Sequence, residues 1–234
     1  TYYAPSNAIL VIAGNINPLE AQRLCAKWFA PIKDRSVSKR IIPLEPKQIQ
    51  HRHIDLTAQV PQNAIYKAYH MPARLHEDYH AADLLSDVLG RGKASRLYTR
   101  LVKDKGLLQS VSAYVSGSSD NGLLIVSGKL KEGVSFEIIE KEVEDVIALL
   151  TNEGLAKGEL DKVKMQAESS HIFSEIELLN RAISLAYFTT MGNTELVNHE
   201  TNLINSVTEQ DLLSQSRKIL TTKNCSTLHY KSIS

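Results

Sequence analysis

The chain has 234 residues, enough for one large domain or two small ones, and a chain of this size buries roughly 70–75% of its unfolded surface without disulfides or structural metals. Hydrophobic residues make up 43% and charged ones 23%, which sets aside collagen-like, disordered and disulfide-scaffold classes. Twenty-seven Lys and Arg against 26 Asp and Glu leave a net charge of +1, so no whole-molecule field draws phosphate backbones or anionic membranes, and nucleic acid is not an expected partner.

Cys25 and Cys225 are too far apart for CxxC chemistry and too few for a disulfide framework, and they leave the compartment open. The longest apolar runs, such as Ala8-Ile9-Leu10-Val11-Ile12-Ala13, fall far short of the roughly 20 residues that span a bilayer. A soluble chain with no membrane span is expected. The chain opens at Thr1-Tyr2-Tyr3 with no Met, basic region or cleavage signal, so it reads as a piece of something longer, and no targeting segment is expected within this piece.

In chain order, Asn7 to Gly14 is an apolar run ending at glycine, which predicts a strand buried on both faces. Asn17-Pro18-Leu19-Glu20 then supplies an N-cap, a first-turn proline and a capping-box acid, with Ala21, Leu24, Cys25 and Trp28 as a helical stripe. Residues 1–34 form this strand-plus-helix unit. Residues 35–50, rich in Pro, Lys, Arg and Ser, read as a linker, and 51–234 as the main domain.

Beyond the linker, strands are predicted at His53–Val60 and Asn63–Met71, then helices at Asp78–Leu89 and Ser95–Lys105. A hairpin of Leu107–Val115 and Gly122–Leu130 turns through Ser116-Gly117-Ser118-Ser119-Asp120-Asn121. Helices follow at Ser135–Asn152, about Lys157–Met191, and Thr208–Leu220 with a Thr208…Asp211 cap, before a closing strand at Cys225–Tyr230. The pattern implies an α+β fold: a mainly antiparallel sheet of about five strands with helices packed on one face. The stretch Pro5-Ser6-Asn7-Ala8 has an echo in Thr222-Lys223-Asn224-Cys225. In both, an Asn precedes an apolar strand, at a domain-sized spacing.

His76-Glu77-Asp78-Tyr79-His80 fits H-E-x-x-H, in which two histidines one helical turn apart bind zinc and the glutamate activates water. Context opposes that reading, because Asp78 is the best N-cap for the next helix, which leaves His76 outside it, and no third ligand follows. His171 and Glu175, with Glu168, share a face of the long helix and read as solvated. Gly90-Arg91-Gly92-Lys93-Ala94-Ser95 lies between two helices and reads as a C-cap and turn, not a phosphate loop. His51 and His53 alternate on a strand and are expected to face solvent. No catalytic constellation is complete and no metal site is expected.

The segment from Tyr2-Tyr3-Ala4-Pro5-Ser6-Asn7-Ala8 to Gly14 and Pro18 resembles the "YY-x-P-x-N-A-x-L-V-x-x-G-x-x-x-P" stretch of the pitrilysin/insulinase-type zinc peptidases. Leu89-Gly90-Arg91-Gly92-Lys93-Ala94-Ser95-Arg96-Leu97-Tyr98, continued by Lys105-Gly106-Leu107 and Ser110-Val111-Ser112-Ala113, is similar to the same family's "L-G-x-G-x-x-S-R-L-(F/Y)…K-G-L-A-Y-S-V-x-A". In that family a catalytic domain carries H-x-x-E-H, and a second domain of the same fold without the zinc ligands closes over the substrate. No H-x-x-E-H occurs here.

The resemblance therefore implies the non-catalytic, C-terminal-type domain of such a peptidase. Zinc is expected in the catalytic domain or subunit that partners it, and peptide as the substrate. The preceding domain would end within residues 1–34. The family's substrate clamp, an Arg and a Tyr seven residues apart, falls on Val102 and Gln109, of which Gln109 alone can hydrogen-bond. Two further readings stand beside this one: a structural or assembly subunit without proteolytic role, and an autonomous zinc peptidase using His76, Glu77 and His80.

Overall fold

The computed structural model describes residues 2–37, 43, 45–117 and 119–233; of the predicted linker, 38–42 and 44 lie outside the described residues, as does Ser118 of the hairpin loop. By contacts the chain divides into two units, Thr1–Glu45 with Glu168–Thr201, and Pro46–Ala167 with Asn202–Ser234. The second holds the sheet.

In the first unit, α1 (Pro18–Phe29) starts where Asn17 caps it, its side chain accepting the Leu19 N–H at 2.9 Å. Glu20 does not close a capping box; Arg23 takes its carboxylate. The run Asn7–Gly14 is not a strand. Pro5–Asn7 is a 3-10 turn, Ala8 is extended, and residues 8–13 have no ladder partner among the described residues. Apolar composition makes a strand only where a neighbour supplies the ladder.

In the second unit, β1 (Arg52–Ala58), β2 (Ala64–Met71), β3 (Leu108–Ser116), β4 (Gly122–Leu130) and β5 (Cys225–Ser232) form one sheet in the order β1-β5-β2-β4-β3. Three of its four pairings are antiparallel, and β1 runs parallel to β5. β1 and β2, consecutive in sequence, are not neighbours. The five residues between them reach up to ~17 Å, enough to cross the ~9.6 Å occupied by β5.

One sheet face is covered. Ile65, Tyr69 and Met71 of β2, Leu124, Val126 and Leu130 of β4, and Cys225 of β5 point into a core completed by α2 (Tyr79–Gly90), α3 (Phe136–Glu153) and α7 (Glu209–Ile219). On the other face Tyr66, Tyr114 and Lys129 are exposed. The apolar spacing of α2 places Ala81, Leu84, Leu85 and Val88 in the core, and α7 opens with the Thr208/Asp211 capping box.

The helix predicted across 157–191 is two, α4 (Glu159–Ser174) and α5 (Leu178–Thr190), broken at Glu175-Ile176-Glu177, and α6 (Glu200–Ser206) follows. Glu175 still closes a helical bond onto the His171 carbonyl at 3.2 Å, and its carboxylate accepts from Ser184 and pairs with Arg181.

Candidate functional site

Val102 and Gln109, the positions singled out by the resemblance, lie at a corner where the predicted helix 95–105 takes an unusual form. Residues Tyr98–Asp104 are π-helical, with the Lys105 N–H donating to the Arg100 carbonyl five residues back. Gly106, at φ 61°, lets Leu107 N–H close onto the Leu101 carbonyl at 2.8 Å, a helix end in which a side chain is disfavoured.

Several letters of the motif have a packing cause. A Cβ on Gly90 would lie 2.0 Å from the Ala113 backbone nitrogen, so glycine is required where α2 meets β3. Ser95 donates to the Gly92 carbonyl, Leu97 and Leu101 are fully buried, and Arg96 grips Glu159 with two bonds of 2.6 and 2.9 Å and the Gly154 carbonyl with a third. Arg100 and Lys105 both hold Glu142; with Lys105 foremost, they keep its carboxyl below the usual range against the pull of burial.

Val102 is half-buried and packs on the core. Gln109 is the extra residue of a β-bulge, inserted where Leu108 faces Leu130 and Ser110 faces Lys129, and it is exposed. The corner thus offers one amide on an edge strand and no charge from Val102.

His76 and Glu77 precede the helix that holds His80. α2 starts at Tyr79, His76 lies in the turn before it, and its Nδ1 accepts the Asp78 N–H at 3.1 Å. Asp78 holds the cap position without a side-chain cap bond; Lys218 pairs with its carboxylate at 3.3 Å. His80 is buried, and burial aided by the Arg74 cation pulls its pKa down to about 4, which keeps the ring neutral.

A polar cluster that the sequence did not mark sits where β1, β5 and α3 meet. Parallel register sets Asp55 beside His229. His229 places Nε2 2.7 Å from Glu140 Oε1 and Nδ1 3.3 Å from Asp55 Oδ1, and His53 Nε2 is 3.2 Å from the same Asp55 oxygen. Lys67, buried on β2, reaches Glu140 at 3.3 Å and Glu144 at 3.4 Å, and Lys231 reaches Asp55 at 3.0 Å. Burial raises the Glu140 carboxyl, but Lys67 and His229 outweigh it and the net shift is downward; the bond from Lys231 likewise lowers Asp55.

His53 is exposed, as expected, and its ring also stands edge-on to that of His229, with centroids 4.4 Å apart. The sequence signal was the alternation His53-x-Asp55 on one strand and Thr227-x-His229-x-Lys231 on another, legible once their pairing is known.

Five strands in this order with helices on one face make an α+β domain. The family model described as the peptidase M16 inactive domain matches residues 1–167, and the chain belongs to that family. It is 29% identical over 180 residues to the zinc protease PqqE of Helicobacter pylori, covering 73% of this chain and 39% of that protein's length. The crystal structure of a protease from Helicobacter pylori matches with TM-score 0.89 at 24% identity, over 98% of this chain and 56% of the other. The peptidase M16 inactive domain from Pseudomonas fluorescens matches at 0.75 and 19%, over 94% and 52%. The chain thus spans about half the length of these solved relatives, and less of PqqE. Among the described residues, no helix is long and apolar enough to cross a membrane.

Proposed function

We propose that this chain contributes the catalytically silent, substrate-enclosing domain of a zinc-dependent metalloendopeptidase that processes or degrades peptides, and that alone it hydrolyses none. The observation that carries this is membership of the inactive-domain family in a sequence without H-x-x-E-H. Zinc belongs to a catalytic domain or subunit of the same family, which is the partner.

Residues 1–34 are the end of a preceding domain of like fold, and 35–50 the linker. The echo supports this: Pro5–Asn7 and Thr222–Asn224 are both 3-10 turns, each closed by the next residue's N–H on the turn's first carbonyl, and each followed by extended backbone. In β5 that backbone is a strand of the sheet. The run Asn7–Gly14 would be the equivalent strand, paired within the preceding domain.

The experiment is cleavage of an unfolded polypeptide by this chain, by the zinc-bearing partner, and by the two together. Activity in the pair alone is the expected result; EDTA-sensitive cleavage by this chain alone overturns it.

Val102 favours a second reading, a structural or assembly subunit. With no cation from Val102, that position cannot donate a charge-assisted hydrogen bond to a peptide carbonyl. If the joined proteins cleave nothing and the partner also lacks H-x-x-E-H, the scaffold reading replaces the first.

A further inference from the structure

We propose that His53, Glu140 and His229 form a binding site for a first-row divalent cation, zinc by its donor set, which clips the edge strand β1 to α3. Among the described residues, the ligand atoms of these three side chains all lie within 4.8 Å of one another. A tetrahedral zinc with bonds of about 2.0–2.1 Å sets its ligand atoms about 3.3 Å apart. Small side-chain rotations bring the three to that spacing, with the 2.7 Å contact between His229 and Glu140 opening to admit the ion. Two imidazoles and a carboxylate are a borderline donor set that suits zinc, and the exposure of His53 leaves a fourth position open to water.

What surrounds the three supports the assignment. His229 is buried, and its ring is fixed by stacking on Phe136, with centroids 4.1 Å apart and planes 14° from parallel. With Nε2 directed at Glu140, its Nδ1 faces Asp55, so the Nδ1 proton has a carboxylate acceptor, the arrangement that fixes the tautomer of a metal-bound histidine. Glu140 keeps its second oxygen on Lys67, so it is itself oriented. Four carboxylates, Asp55, Glu137, Glu140 and Glu144, stand against two ammoniums, Lys67 and Lys231, leaving two negative charges that a divalent cation neutralises.

The site is separate from the His76–His80 motif and from the H-x-x-E-H of a catalytic partner, and it revises the expectation that this chain holds no ion. Its effect is mechanical. β1 is hydrogen-bonded on one side, to β5, and an ion joining His53 to Glu140 ties it to α3 as well.

The full chain, stripped with EDTA, is titrated with Co2+ and followed by its visible absorption, and the cobalt is then displaced by Zn2+. One equivalent is expected. His53→Ala and Glu140→Gln should each weaken binding by at least about 10-fold and Asp55→Asn by about 10-fold, while His76→Ala leaves it unchanged. Hydrogen exchange at amides 52–58 should slow when zinc is added. His53 is exposed, so His53→Ala keeps the fold, which circular dichroism checks. The proposal is overturned if the folded chain shows no saturable binding below about 1 mM free metal. It is equally overturned if binding survives in the His53→Ala, Glu140→Gln double variant or disappears with His76→Ala.

Discussion

At one edge of the sheet, β3 begins beneath the π-helical turn on the bulged Gln109, with Leu101 buried and Val102 packed on the core behind it. At the opposite edge, β1 brings His53 and Asp55 against His229, Glu140 and the two lysines that pair with these carboxylates. The β3 corner carries the longest motif in the sequence, and the β1 edge carries none. Three of the motif's letters are nonetheless accounted for by geometry: Gly90 where a helix must touch a strand, Gly106 at a helix end, and Arg96, which joins two helix starts. Dense motif marks dense steric constraint. The chemically versatile side chains gather where the chain's distant ends meet in a parallel pair, which no local pattern announces.

The β3 side of this comparison breaks most visibly at Gly90. In Gly90→Ala the new methyl would lie 2.0 Å from the Ala113 nitrogen and 2.6 Å from its Cβ, against a backbone that cannot step aside. A loss of at least about 4 kcal/mol is expected in urea unfolding, among the largest single-residue effects. A loss under about 1 kcal/mol would mean that α2 and β3 have room between them, and that the motif needs another explanation.

Histidine sharpens the contrast. His229 lies between two carboxylates, whereas His80 is buried near the Arg74 cation with its pKa lowered from 6.5 to about 4. The unfolded chain binds that proton more readily than the folded one, so stability rises with pH across the interval. The contribution of His80 is fully present above about pH 6.5 and is lost as pH falls through about 4, a penalty of about 3 kcal/mol. Urea titrations at pH 7 and pH 4 on the wild type and on His80→Leu measure it. An equal acid slope in both proteins would remove His80 from the account.

Most of the fold was legible from periodicity and caps. Thr208 and Asp211, Asn17, the α2 stripe and the β3–β4 hairpin all form from residues close in sequence. What was not legible depends on neighbours. Asn7–Gly14 is as apolar as any strand here but has no ladder among the described residues, and residues 175–177 interrupt a helix that propensity alone would continue. The candidate site divides the same way. Gln109 and Val102 were locatable by motif, while the cluster needed the β1–β5 register, which pairs positions more than 170 residues apart.

Arg96→Ala tests whether the corner's ion pair is structural. Glu159 is 10% exposed in its side chain, and loses its bidentate partner, while the Gly154 carbonyl loses its donor. About 2 kcal/mol is expected from thermal unfolding, less than a fully buried pair because Arg96 keeps 20% exposure. Arg96→Lys should recover under half, since an ammonium cannot present the guanidinium fork.

The smallest expected effect on stability separates motif from function. Gln109 is exposed on a bulge, so Gln109→Ala should change unfolding by under about 0.5 kcal/mol. If the β3 edge nonetheless meets an extended peptide in the assembled peptidase, the same substitution should raise KM several-fold with little change in kcat, because a lost amide contact weakens bound substrate and transition state alike. Stability and KM both unmoved would leave the β3 corner as packing alone. The contrast between the two edges would then be complete, with the His53, Glu140 and His229 cluster on the β1 side.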